Sequence, residues 1–166
     1  DRSLGGVPGS ATAGSLVLNG GTLLASADIS LSANRGISFG ANGATISVDS
    51  AKTLTLAGII ADAGNFTKVG AGTLALSGTN TYTGLTTVSA GILSISSDAN
   101  LGAVPSTVTA NEITLAGGAL QVSANMILNA NRGITLTANS GLAATSGNTL
   151  IYAGTITGGF GLTING

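Results

Sequence analysis

The sequence contains itself twice, and this restricts the chain to folds that grow by adding like units. Leu4-Gly5-Gly6-Val7-Pro8 returns as Leu101-Gly102-Ala103-Val104-Pro105, and Ala33-Asn34-Arg35-Gly36-Ile37 returns unchanged as Ala130-Asn131-Arg132-Gly133-Ile134. Both pairs lie 97 residues apart, and residues 4–39 laid over 101–136 without a gap share 18 of 36 positions. Further along the offset falls to 96, so that Phe66-Thr67 meets Leu162-Thr163. A period this long marks a repeat array, whose units bury their faces against neighbours rather than around one closed core. We read two units, 1–97 and an incomplete 98–166, in one continuous solenoid.

The local pattern sets the class. Short stretches such as Leu16-Val17-Leu18, Ile37-Ser38-Phe39, Leu54-Thr55-Leu56 and Ile134-Thr135-Leu136 alternate apolar and small residues between Gly and Asn. Period-two alternation bounded by turn residues is the signal of a half-buried strand, so the class is all-β. Asn19-Gly20 and Asn42-Gly43 suit two-residue hairpins, which would give an antiparallel sandwich. A second periodicity favours another architecture. Strand starts recur about every 19 residues, the length of one coil of a right-handed parallel β-helix. Five such coils fit a 97-residue unit and rise about 24 Å at the strand spacing.

Composition excludes several functions. Charged residues make up 7% of the chain and the net charge is −1, so the basic footprint that nucleic acid requires is missing. The longest apolar run, Leu150 to Ala153, is far short of the ~20 residues of a spanning helix, so no membrane span is expected in this segment. With 43% apolar residues the chain is too rich in aliphatics for disorder. Cysteine is absent, so no disulfide is expected. Asp1-Arg2-Ser3 opens in the middle of the pattern with no signal peptide, as in a piece of a longer protein.

One stretch is specific. Gly70-Ala71-Gly72-Thr73-Leu74-Ala75-Leu76 leads into Asn80-Thr81-Tyr82-Thr83-Gly84 and closes on Thr86-Thr87-Val88-Ser89-Ala90-Gly91-Ile92-Leu93. This closely resembles the autotransporter-associated β-strand repeat, also called the passenger-associated transport repeat. The flanking Leu-Gly-x-Val-Pro and Asn-Arg-Gly-Ile blocks resemble the spacers between such repeats. The resemblance implies a right-handed parallel β-helix within a long bacterial surface or secreted protein. It implies a role in secretion and stalk formation rather than catalysis.

Residues able to do chemistry are few. Asp28, Asp49 and Asp62 are about a coil apart, with Lys52 and Lys68 near them in sequence, but paired acid–base chemistry needs groups that converge. No His or Cys is available as base, nucleophile or soft metal ligand. Gly20-Gly21 and Gly117-Gly118 lack the Asp of a calcium-binding nonapeptide, and the Gly-x-Gly pairs at 70–72 and 159–161 open no helix. No catalytic residue, cofactor or metal is expected. The candidate surface contacts are Arg35 and Arg132, in identical Asn-Arg-Gly corners, and Tyr82, in a polar loop. The corners are read as solvated, with their Gly in the left-handed region. Thr-x-Thr pairs at 53–55, 107–109, 135–137 and 155–157 would suit an ice-binding face, but their spacing does not keep the register of a coil.

The functional expectation is a stalk or fibre segment of a long extracellular bacterial repeat protein, supporting adhesion, a surface layer or filaments. A glycan-binding or polysaccharide-processing β-helix is the alternative, and an ice-binding β-helix a minor one. Expected partners are further repeats or copies stacked end to end, lateral bundles of rods, and surface glycans. Neither terminus carries a capping element, so the segment is expected not to exist as a blunt-ended monomer.

Overall fold

The computed structural model describes residues 4–166. Every strand pair is parallel, and the 19 strands stack into a β-solenoid with three faces. The second face is a seven-stranded sheet of β2 (Thr22–Ala25), β5 (Ala44–Val48), β8 (Phe66–Val69), β10 (Thr86–Val88), β12 (Thr109–Leu115), β15 (Arg132–Leu136) and β18 (Ile156–Thr157). The third face is another, of β3 (Ile29–Leu31), β6 (Thr53–Leu56), β9 (Thr73–Leu76), β11 (Ile92–Ile95), β13 (Ala119–Val122), β16 (Ser140–Ala144) and β19 (Leu162–Asn165). The first face begins with β1 (Thr12–Leu18), β4 (Arg35–Phe39) and β7 (Ile60–Ala61), and ends with β14 (Met126–Leu128) and β17 (Leu150–Tyr152). Irregular segments bridge its middle: Thr81 N donates to Ile60 O at 2.8 Å, and Ala103 N to Tyr82 O at 2.9 Å. The parallel β-helix reading holds and the hairpin alternative falls.

The coil is longer than expected. Successive partners on the second face are Thr22–Thr45, Thr45–Thr67, Thr67–Thr87, Thr87–Thr114, Thr114–Thr135 and Thr135–Thr157, steps of 20 to 27 residues. The 19-residue figure arose because the apparent strand starts slide between faces. Ile37 to Leu54, for example, runs from β4 on the first face to β6 on the third, less than a full coil.

The 97-residue unit is therefore not five coils. Its first-face strands β1 and β4 have their equivalents, β12 and β15, on the second face. Likewise β2 corresponds to β13 on the third face, and β3 to β14 on the first. One unit is thus four and a third coils, and equivalent segments are rotated by one face. Local registers survive the rotation: Thr12 pairs Arg35 and Leu16 pairs Ile37 across a bulge, as Thr109 pairs Arg132 and Ile113 pairs Ile134.

Inward positions follow the alternation in the sequence. Ile46, Val48, Leu54, Leu74, Val88, Leu93, Ile113, Leu120 and Ile134 are all buried. Three rings cluster among them: Phe39 stacks on Phe66 with centroids 5.5 Å apart, and Tyr82 meets Phe39 tilted at 5.7 Å. The corners are tied by side chains that satisfy the backbone of the next coil. Asn19 Oδ1 accepts from Asn42 N at 2.9 Å, Asp28 Oδ1 from Thr53 N at 2.7 Å, Asn65 Oδ1 from Leu85 N at 2.9 Å and Asn139 Oδ1 from Gly161 N at 2.8 Å. Short Asx side chains suit this role because they compete well for local backbone groups at turns.

Two buried asparagines do the same inside the wall. Asn80 accepts Ile60 N at 2.8 Å and donates to Asn100 O at 2.6 Å. Asn100 donates to Gly78 O at 2.9 Å and accepts from Ser96 N and Ser97 N. Removing Asn80 strands one donor and one acceptor, each costing about 1–3 kcal/mol. Urea unfolding should show Asn80→Ala destabilised by about 2–6 kcal/mol, against under about 0.5 kcal/mol for Thr81→Ala on the exposed side of the same loop.

Lys68 occupies an inward position, paired with Ile46 and Val88, and is fully buried. Its Nζ donates to Val69 O, Gly70 O and Ala90 O at 2.8, 2.7 and 3.2 Å. Burial pushes this amine down from 10.5 to about 8. Above pH 8 the unfolded chain holds a proton that the folded chain has released, so stability rises with pH until the unfolded amine titrates. Denaturation of the native chain against Lys68→Met at pH 7 to 10 should show the native chain gaining stability over the variant above pH 8. A difference that is flat across this range would contradict the assignment.

Candidate functional site

The two blocks of the internal repeat meet in space. In the first unit the Arg35 guanidinium donates to Leu4 O, Gly5 O and Gly6 O at 3.2, 2.9 and 3.1 Å. In the second, Arg132 donates to the equivalent carbonyls Leu101 O and Gly102 O at 2.9 and 2.7 Å, with Ala103 O at 3.4 Å. The preceding asparagines hold the prolines: Asn34 Nδ2 reaches Pro8 O at 3.0 Å and Asn131 Nδ2 reaches Pro105 O at 2.9 Å. The Asn-Arg-Gly corner is thus a clamp on the Leu-Gly-x-Val-Pro loop. Its glycine is fixed by close approach rather than by a positive φ. A Cβ on Gly36 or Gly133 would sit 2.6 Å from Thr12 O or Thr109 O.

This geometry corrects the surface reading of all three candidate residues. Arg35 is 4% exposed, Arg132 0% and Tyr82 1%, so none of them is a contact on the surface of this chain. A planar fork of five donors is well suited to gathering several carbonyls, which is why arginine stands inside an otherwise weakly charged chain.

The second clamp carries an added ion network. Arg132 Nε lies 3.0 Å from Asp98 Oδ1, and its Nη1 lies 3.4 Å from Glu112 Oε1. Burial raises the Glu112 carboxyl above its ordinary range, while the Arg132 charge pulls it back. The first unit has Ser15 where the second has Glu112, and the equivalent of Asp98, Asp1, lies outside the described residues. Tyr152 packs beneath, its hydroxyl 2.7 Å from Arg132 O.

The specific motif resolves into mechanical parts. Leu74, Leu76, Val88 and Leu93 face inward. Asn80 bridges coils, and Tyr82 packs against the edges of the Phe39–Phe66 pair with its hydroxyl 2.9 Å from Thr86 Oγ1. Burial pushes the Tyr82 phenol up to about 12. At Gly84 a Cβ would fall 2.2 Å from Gly64 O, so only glycine lets these two coils approach.

Apart from Asp98 and Glu112 at Arg132, the acidic residues serve separate partners. Asp28 accepts the Thr53 amide, and Asp62 takes the Ser38 hydroxyl. Among the described residues no three of His, Cys, Asp and Glu are placed to hold a metal ion. Sequence reasoning missed Lys68, Asn80 and Asn100 as buried polar groups. The signal for Lys68 was present, since Phe66-Thr67-Lys68 puts Lys68 on the inward side of a period-two pattern.

Arg132→Ala would take a donor from the Asp98 and Glu112 carboxylates and from the carbonyls of Asp98, Leu101, Gly102 and Ala103. It should cost about 3–5 kcal/mol in chemical denaturation. Arg132→Lys should recover only part of this, because an ammonium lacks the fork. Full rescue by lysine would show that charge, not geometry, holds the loop.

Comparison with known proteins agrees with the motif. The passenger-associated-transport-repeat family matches residues 66–95. The adhesin BmaC autotransporter of Brucella suis biovar 1 (strain 1330) is 38% identical over 115 residues, which is 69% of this chain and 3% of that protein. The chain therefore spans only a small fraction of this relative's length. No solved structure matches. The family match covers β8 to β11, the coils in which Asn80, Tyr82 and Gly84 perform the roles just described. The chain thus carries a passenger-associated transport repeat at residues 66–95, set within a parallel β-solenoid.

Proposed function

We propose that this chain is a structural stalk segment of a long extracellular bacterial repeat protein of the autotransporter-passenger kind, on which adhesion, a surface layer or filaments are built. The observation that carries the reading is the continuity of the stack. Both seven-stranded faces run through every coil in register, and the buried polar groups serve the joins between coils. Phe39, Phe66 and Tyr82 are spent inside the wall, where they cannot stack on a sugar. This weighs against the glycan-processing alternative, as does the engagement of Asp28 by the Thr53 amide and of Asp62 by the Ser38 hydroxyl, two separate partners. The relative bears the name of an adhesin autotransporter, which agrees with a surface or secreted location.

A solenoid of this kind is held coil by coil, so its natural partners are further repeats in the same chain or further copies stacked end to end. A net charge of −1 leaves little repulsion against side-by-side packing. Surface glycans remain candidate ligands for the protein as a whole. Incubation with bacterial and plant polysaccharides should give no turnover, and any turnover by this segment would overturn the stalk reading. Sedimentation of the chain at rising concentration should show growing assemblies. A monomer that persists at high concentration would refute end-to-end stacking.

A further inference from the structure

The register of the second face places seven threonines in one unbroken column, one per coil from Thr22 to Thr157. At the strand spacing the column is about 29 Å long. Its side chains point outward, because their neighbours Ile46, Phe66, Val88, Ile113 and Ile134 are buried inside. Only 22 of the 166 residues are Thr, so composition alone does not fill seven consecutive sites.

The duplication does not explain the column either. Because one unit is rotated by a face relative to the other, the column joins positions that are not equivalent in the repeat. Thr114, Thr135 and Thr157 correspond to Val17, Ser38 and Ala61 of the first unit, which lie on the first face. Thr22 and Thr45 correspond to Ala119 and Gly141, which lie on the third. At these five sites threonine follows the face rather than the repeat, as it would if the face itself were in use; Thr67 alone keeps a threonine, Thr163, at its equivalent on the third face.

We infer that the second face binds an ordered lattice of water, that is, ice. The column repeats one hydroxyl and one methyl per coil at a fixed spacing, close to that of oxygen rows in ice. At its far end Thr135 Oγ1 donates to Ala110 O at 2.8 Å and pairs with Thr157 Oγ1 at 3.1 Å, so the open hydroxyls lie before Thr135. Among the described residues, the hydroxyls of Thr45, Thr67, Thr87 and Thr114 have no hydrogen-bond partner in the protein, so they are free to join such a lattice. No charge interrupts the column, and the adjoining outward positions Leu24, Ser47 and Val69 are uncharged. The parallel ladder holds the array rigid, so little conformational freedom is lost on binding. A sugar ligand would call for ring stacking or a concave site, and the central rings are interior.

The test is thermal hysteresis and ice-recrystallisation inhibition by the 166-residue chain. It is to be compared with Thr114→Tyr at the column and Gln121→Tyr on the third face, each checked for native circular dichroism. Activity in the native chain and in Gln121→Tyr, with loss to the buffer level in folded Thr114→Tyr, is the expected result. If Thr114→Tyr does not fold, Thr87→Val replaces it, which removes a hydroxyl and keeps the shape. An inactive native chain would overturn the inference, and so would activity untouched by the column variants. Column-dependent binding to cellulose or chitin without any effect on ice would overturn it in favour of a glycan face.

Discussion

Parallel stacking makes each coil depend on its neighbours for hydrogen bonds. In an antiparallel hairpin the turn closes on itself, whereas a solenoid corner must find its partners one coil away. Unpaired backbone groups in a wall this tight would each cost about as much as a lost hydrogen bond. The structure meets the demand with a small set of devices. Asn19, Asp28, Asn65 and Asn139 reach across outer corners, Asn80 and Asn100 act within the wall, and arginines gather the carbonyls of the widest loops.

That demand also explains where the charges went. Arg35, Arg132 and Lys68 are three of the five cations, and all are buried with backbone carbonyls as acceptors. A buried cation is costly unless its donors are filled, and filled it becomes a rigid multi-point clamp. The second unit goes further by adding Glu112 and Asp98 around Arg132. The same block of sequence thus supports two versions of one clamp. The passenger-associated transport repeat lies between them, and its most specific residues, Asn80, Tyr82 and Gly84, likewise serve the joins between coils.

The mismatch between unit and coil gives the rod its surface logic. A repeat of whole coils would place every equivalent residue on one face, and duplication alone would then make stripes. At four and a third coils per unit, the strands that carry the clamps move from the first face (β1, β4) to the second (β12, β15), and any stripe along one face must be assembled from unrelated positions. The threonine column is such a stripe. Its regularity cannot be read from Thr-x-Thr spacing, because coil lengths vary from 20 to 27 residues while the register absorbs the difference in the corners.

The all-β class, the parallel solenoid, most inward apolar residues and the family motif are legible in the chain's own pattern. These rest on short-range alternation and on a repeat that survives as identities, both of which are local properties of the chain. It also marked the Leu-Gly-x-Val-Pro and Asn-Arg-Gly blocks as important, without showing that they touch. That Arg35, Arg132 and Tyr82 are buried, that Gly36 and Gly133 are there for close approach, and that 97 residues span four and a third coils follows from the stacking of the coils. Burial and phase depend on how many residues each corner consumes. A corner's length is set by its contacts with the coils on either side, and those contacts form only when the coils stack.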